Sequence, residues 1–268
     1  MQKYKISILG AGNVGTHLAL ALYETDYTVL QIFSREKKNA QDLAKKVNAS
    51  AISSIANLSN EVDIIFVCVS DSAIADVVNK IDFQSTLIAH TAGSVSIDIL
   101  NEFNNFGVFY PLQSFSKQSK LDIKTVPFCI EANTQENKNI LLSVAKSLSE
   151  SVYELSSEQR LQCHLAAVFD NNFSNHMFAI AEQLLSKNQI SFDILKPLIL
   201  ETANKVQNTK PILAQTGPAF RNDKNTIKQH LDALQSPQLE KIYSFVSKNI
   251  LDLKIGNLPF KNSNNKDE

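Results

Sequence analysis

The sequence predicts an α/β fold in which a doubly wound parallel sheet is followed by an all-helical C-terminal domain. Three observations carry that expectation. Short β-rich runs alternate with helical segments over residues 1–155. A glycine cluster, Gly10-Ala11-Gly12-Asn13-Val14-Gly15, joins the first such run to the first helix. From Ser157 onward no strand pattern remains, and a helical pattern runs to about Asn188 without a proline or glycine.

The elements follow in order. Tyr4–Leu9 reads as a strand, Val14–Glu24 as a helix and Thr28–Phe33 as a strand, with a helix over Glu36–Val47 and a short strand near Ala51. Asp63–Val69 is a continuous apolar run, the pattern of a parallel strand covered on both faces. Helices are expected over Ser72–Lys80, Ile97–Phe103 and Gln135–Ser149, and strands over Thr86–His90, Gly107–Tyr110, Pro127–Glu131 and Val152–Leu155. After the long helix, further helices are expected at Phe192–Asn208, Asp223–Leu234 and Pro237–Ile250. The domain expectation is therefore a sheet domain over 1–155, a helical domain over 156–260 and a disordered polar tail over 261–268.

Bulk composition narrows the function. Of 268 residues, 44% are apolar and 20% charged, a globular balance, and the net charge of −1 gives no general attraction to nucleic acid or an anionic membrane. Three cysteines, Cys68, Cys129 and Cys163, lie far apart without a CxxC pair, which points to a reducing compartment and no structural zinc. Met1-Gln2-Lys3 leads straight into a strand, leaving no room for a signal peptide, and the apolar run Ile64–Val69 is too short to span a bilayer. A cytoplasmic protein is expected.

The glycine cluster fits GxGxxG, a weak pattern alone, but here it follows an apolar strand and opens a helix. In that context Gly10 permits a tight turn, Gly12 lets backbone approach a pyrophosphate, and Gly15 lets helix and strand pack closely. Asn13, Val14 and Gly15 would offer the free N–H groups of a helix N-terminus to the phosphates. This is the fingerprint of a Rossmann dinucleotide site; a ligand-free βα turn is the plain alternative. The second strand ends in Ser34-Arg35 where an acidic residue would hold a ribose 2′-OH, so a 2′-phosphate and NADP are favoured over NAD. Glu36 leaves the NAD reading open. The fourth strand delivers Val69 and Ser70 to the same crevice, and Asp71 reads mainly as a helix cap.

Substrate-side candidates come from two places. His90, Thr91, Gly93 and Ser94 leave the fifth strand, where they either face the nicotinamide or simply form a capping loop. Tyr110–Ser114 is a weaker candidate of the same kind. On the long helix, at about 100° per residue, His164, Asn171 and Asn175 fall within roughly 20° of one line, with Arg160 beside them. His164 would transfer the proton that accompanies hydride transfer, assisted by Asn171 and Asn175; a buried interhelical network is the alternative. Arg221, in the turn-rich run Thr216–Asp223, would clamp a substrate carboxylate or phosphate, or pair with Asp223 on the surface. His17 and His230 read as structural or exposed.

These residues resemble a family. GAGNVG (10–15), SR (34–35), HTAGS (90–94), HLAAVFDNNF (164–173) and TGPAFRND (216–223) resemble the Rossmann-like proteins whose C-terminal half is a domain of unknown function. These belong to the 6-phosphogluconate dehydrogenase-like and pyrroline-5-carboxylate reductase-like superfamily. The resemblance implies NADP binding, a helical dimerisation domain of the 6-phosphogluconate dehydrogenase type and a substrate cleft between the two halves. One departure stands out. The superfamily's β-hydroxyacid dehydrogenases place a catalytic lysine one turn before an Asn pair, whereas here Ala167 and Val168 precede Asn171-Asn172 and no lysine occurs between Lys146 and Lys187.

The expectation is an NADP-dependent oxidoreductase of a small carboxylate-bearing carbonyl, imine or alcohol, acting as a homodimer through the helical domain. A catalytically silent NADP-binding sensor and a pyrroline-5-carboxylate-type imine reductase are the competing readings.

Overall fold

The computed structural model describes residues 3–118 and 121–256. The expected tail 261–268 lies outside them. The described chain forms two compact units that divide between Phe178 and Ala179.

The first unit is built on an eight-stranded sheet in the order β3-β2-β1-β4-β5-β6-β7-β8. The strands are β1 (Lys5–Leu9), β2 (Thr28–Phe33), β3 (Ser50–Ile52), β4 (Ile64–Val67), β5 (Leu87–His90), β6 (Phe106–Pro111), β7 (Phe128–Ala132) and β8 (Val152–Glu154). Helices α1 (Asn13–Glu24), α2 (Lys37–Lys46), α3 (Ile74–Val78) and α4 (Gln135–Leu148) connect them. Strand order reverses between β1 and β4, which opens a crevice at the carboxyl ends of the neighbouring strands, the ligand position of a Rossmann sheet. Register puts those ends level: Leu9 lies beside Phe33 and Val67, and Val67 beside His90.

The sheet is mostly parallel, with one exception. β7 runs antiparallel to β6, pairing Tyr110 with Cys129 and Gly107 with Ala132. The alternation of elements predicts parallel neighbours, but the link from β6 to β7 carries only a 3₁₀ turn, Ile123–Thr125, and an antiparallel pair needs no crossover helix. The helix expected over Ile97–Phe103 likewise shrinks to a 3₁₀ turn, Ile97–Leu100. Apolar side chains fill both faces: Ile6, Ile8, Phe66, Ala89, Phe109 and Phe128 on one, Leu9, Ile65, Val67 and Ile88 on the other. The alternation along β4, with Ile64 and Phe66 on one face and Ile65 and Val67 on the other, explains its unbroken apolar run.

The long helix is not uniform. It comprises α5 (Ser157–Ala167), a π-helical stretch Val168–Phe173 and α6 (Ser174–Ser186). Ser156 opens it with a capping box to Gln159. This helix groups with the sheet as far as Phe178, beyond the 155/156 division that the sequence anticipates, and Arg160 ties its start there. Its guanidinium is buried, paired with Glu131 on β7, and donates to the Val95 carbonyl and to Ser157 Oγ, while Ser157 N–H and Oγ also donate to Glu131. That network fixes the start of α5 to the sheet.

The second unit continues from α6 with α7 (Lys196–Asn208), α8 (Pro211–Ala214), α9 (Pro218–Arg221), α10 (Lys224–Leu234) and α11 (Pro237–Lys254). Asp223 caps α10 by accepting from Thr226 N–H at 3.1 Å. Among the described residues no helix is long and apolar enough to cross a membrane.

Candidate active site

The GxGxxG turn has a physical reason at each glycine. Gly10 holds φ +122°, and a Cβ there would stand 2.3 Å from the Cys68 carbonyl oxygen. A Cβ on Gly15 would stand 1.9 Å from the Gly10 oxygen, so α1 can lie on the turn only without a side chain. Gly12 differs, because nothing of the protein lies within 4 Å of the position its Cβ would take. The protein does not need a glycine there; a ligand lying against the backbone would. The first intrahelical bond of α1 is Thr16 N–H to the Gly12 carbonyl, so the N–H groups of Asn13, Val14 and Gly15 lack helical acceptors. The Val14 side chain packs against the core, which leaves its backbone as the group it can offer.

A cavity of about 260 Å³ opens at this turn, lined by Gly10, Gly12, Ser34, Arg35, Val69 and Ser70, with Lys117 on its rim. The donor set suits an anionic dinucleotide: free helix N–H groups at a space kept clear of side chains, then a hydroxyl and a guanidinium at the end of β2.

The substrate-side candidates separate. His164 Nδ1 lies 2.9 Å from the Tyr110 hydroxyl, and their rings meet edge to face. Gly93 makes room for this pair, since a Cβ there would come within 2.6 Å of His164 Nδ1 and 2.7 Å of Tyr110 Cζ. Residues 93, 110 and 164, far apart in the chain, therefore form one contact. Burial pushes the Tyr110 hydroxyl well above the usual phenol range, so it stays protonated. Beside the pair lies a cavity of about 500 Å³, lined also by Gln113, Ser114, Asp170, Asn171 and Asn172.

The other candidates sit elsewhere. His90 is fully buried, its Nδ1 accepts from Ala92 N–H at 3.2 Å, and burial, then the Arg160 charge, lowers it to about 4. Thr91 Oγ1 donates to the Val67 carbonyl at 3.3 Å, and Ser94 Oγ donates to Asp71. Asp71 is thus a partner of Ser94, not the cap its sequence context predicts. Asn175 is exposed and does not line the cavity that holds His164 and Asn171. The common line of His164, Asn171 and Asn175 assumes an unbroken α-helix, and the π-helical stretch, with its i→i+5 bonds, rotates the succeeding turns away from it. Arg221, in the second unit, ends α9 on the surface and forms no ion pair with Asp223 among the described residues. Tyr110, weighed only weakly from sequence, is the partner of His164; its place at a strand's carboxyl end was the available signal. Nothing in the sequence marks Glu131.

Comparison with known proteins places this geometry. Residues 5–102 match the profile of the coenzyme F420-dependent NADP oxidoreductases, and residues 126–250 match a domain of unknown function, DUF2520. A Bacteroides fragilis structure provisionally named an NADP oxidoreductase is 41% identical, with a TM-score of 0.87 over 93% of this chain and 98% of that one. The chain belongs to this NADP oxidoreductase family. The same fold recurs in a Thermotoga maritima protein at 19% identity, with a TM-score of 0.72 over 94% of this chain and 98% of that one. Pyrroline-5-carboxylate reductase from Streptococcus pyogenes shares it at 16% identity, with a TM-score of 0.64 over 95% and 99%. Among curated proteins no sequence matches this family member.

Proposed function

We propose that this oxidoreductase binds NADP at the turn formed by Gly10, Gly12, Asn13, Val14 and Gly15, with Ser34 and Arg35 on the 2′-phosphate and Val69 and Ser70 along the crevice. The substrate is a small carboxylate-bearing carbonyl, imine or alcohol. The bound dinucleotide supplies or accepts the hydride. His164 manages the proton: the Tyr110 hydroxyl at Nδ1 orients the ring, the imidazolium gives its Nε2 proton to the substrate's oxygen or nitrogen and becomes neutral, and in the reverse direction the neutral Nε2 takes that proton back. Asn171 lies in the same cavity and can orient the reacting group. The observation that carries this reading is the contact of His164 and Tyr110 over Gly93 at the carboxyl edge of the sheet.

His90, Thr91 and Ser94 act through structure in this proposal: their polar groups hold the loop that presents Gly93. His164 also stands in for the absent lysine, which favours an active enzyme over a silent sensor. The test is NADPH consumption across a panel of small imines and keto acids. His164→Ala is expected to lower turnover by about 10²–10⁴-fold, the range of one acid–base group, with NADP affinity retained. Unchanged turnover removes His164 from the chemistry.

The assembly proposed is a homodimer through the helical half. Leu161, Leu165, Phe169, Phe173 and Met177 recur every fourth residue along the long helix, each 39–62% exposed in the single chain. In the second unit Ala219 is the only buried apolar residue among those described. Such surfaces call for a second chain to cover them. Three free thiols suit a cytoplasmic location.

A further inference from the structure

We infer that Lys117 is a second cationic contact for the phosphates of the cofactor, carried there by a strap that His17 fastens to α1; the inference rests on the cofactor site proposed above. Lys117 reaches the cavity from the β6–β7 connection, remote in sequence from the glycine turn and from Ser34-Arg35. Its segment is pinned ahead of any ligand. Leu112 N–H donates to the Pro127 carbonyl at 2.8 Å, which fixes the start of the connection. The Ser116 carbonyl lies 2.9 Å from His17 Nε2, and the Phe115 ring lies 5.4 Å from the His17 ring. Phe115, Leu121 and Ile123 pack against the core on either side of Lys117. His17 belongs to the first turns of α1, the same helix whose N-terminal amides face the cavity, so one helix sets both the amides and the lysine.

Charge points the same way. The charged residues lining this cavity are Arg35, Glu36 and Lys117, and neither cation has a carboxylate partner among the described residues. A dinucleotide phosphate supplies the anion that both lack, and a backbone fixed beforehand reduces the ordering cost of binding it. His17, structural or exposed by sequence, thereby becomes a positioning residue for the cofactor.

The experiment is calorimetric titration of the full chain with NADP⁺, NAD⁺ and 2′-AMP at low and high salt. Lys117→Gln is expected to weaken NADP⁺ about five- to tenfold at low salt and to flatten the salt dependence, while Lys117→Arg restores both. Loss confined to NADP⁺ and 2′-AMP assigns Lys117 to the 2′-phosphate; loss shared by NADP⁺ and NAD⁺, with 2′-AMP unaffected, assigns it to the pyrophosphate. His17→Leu should reproduce part of the loss, and the double variant should add nothing beyond Lys117→Gln. Wild-type NADP⁺ affinity and salt dependence in Lys117→Gln overturn the inference alone, and additive losses overturn the strap. A wild-type chain that takes up no dinucleotide refutes the site and the inference together.

Discussion

Replacing His90 by Asn should make the protein less sensitive to acid, although it removes a buried side chain. His90 ends β5 fully buried, and burial together with the nearby Arg160 charge lowers its imidazole from 6.5 to about 4. The unfolded chain therefore takes up a proton near pH 6.5, while the folded chain resists it until about pH 4. The contribution to stability is fully present above pH 6.5 and is lost as the pH falls through that window. At about 1.36 kcal/mol per pH unit of separation, the loss reaches about 2 kcal/mol at pH 5 and about 3 kcal/mol at pH 4. Asn keeps an acceptor near the Nδ1 position for Ala92 N–H but has no proton to gain. Urea unfolding of both proteins at pH 7 and pH 5 reads the difference: the variant starts less stable, and the gap narrows by about 2 kcal/mol on acidification. Parallel losses, or a His90 resonance titrating near pH 6.5 in the folded protein, would show that His90 is not the source of the acid sensitivity.

Other consequences can be checked separately. Gly93→Ala places a methyl where His164 and Tyr110 meet, so NADPH-dependent turnover should fall at least tenfold while calorimetric NADP⁺ affinity stays within about twofold. Arg160→Met strands the Glu131 carboxylate and should cost about 3–5 kcal/mol in urea unfolding, with Glu131→Gln in the same chain recovering part of it; an unchanged midpoint would contradict the buried network. A Cβ at Gly12 meets no protein atom within 4 Å, so the melting temperature of Gly12→Ala should match wild type while NADP⁺ binding is weakened, a separation that a merely structural glycine would not show. Sedimentation equilibrium should return twice the chain mass, and Phe169→Glu should halve it.

The fold was legible where local chemistry decides it. The strand patterns of β1, β4 and β5, the glycine turn and the opening of the long helix at Ser157 each determine their own conformation through nearby residues. The direction of β7 was not legible, because it depends on a connection that lacks a crossover helix, and period-2 patterning is blind to strand direction. At the site, the helical wheel brought out His164 but set Asn175 beside it, since no proline or glycine announces the π-helical stretch. Tyr110, Gly93 and Glu131 acquire their roles from contacts with residues well beyond their own elements, which no local pattern encodes. The partners of the strand-end hydroxyls were not legible either: Thr91 and Ser94 donate to the Val67 carbonyl and to Asp71 across the sheet.

The cavity beside the glycine turn is expected to select a dinucleotide bearing a 2′-phosphate. Parallel calorimetric titration of the wild-type chain and Arg35→Ala with NADP⁺ and NAD⁺ reads that selection. Wild type should bind NADP⁺ more tightly than NAD⁺, and Arg35→Ala should lose that preference with NAD⁺ affinity little changed. Equal affinity of wild type for the two dinucleotides, or a preference that survives loss of the guanidinium, would contradict it.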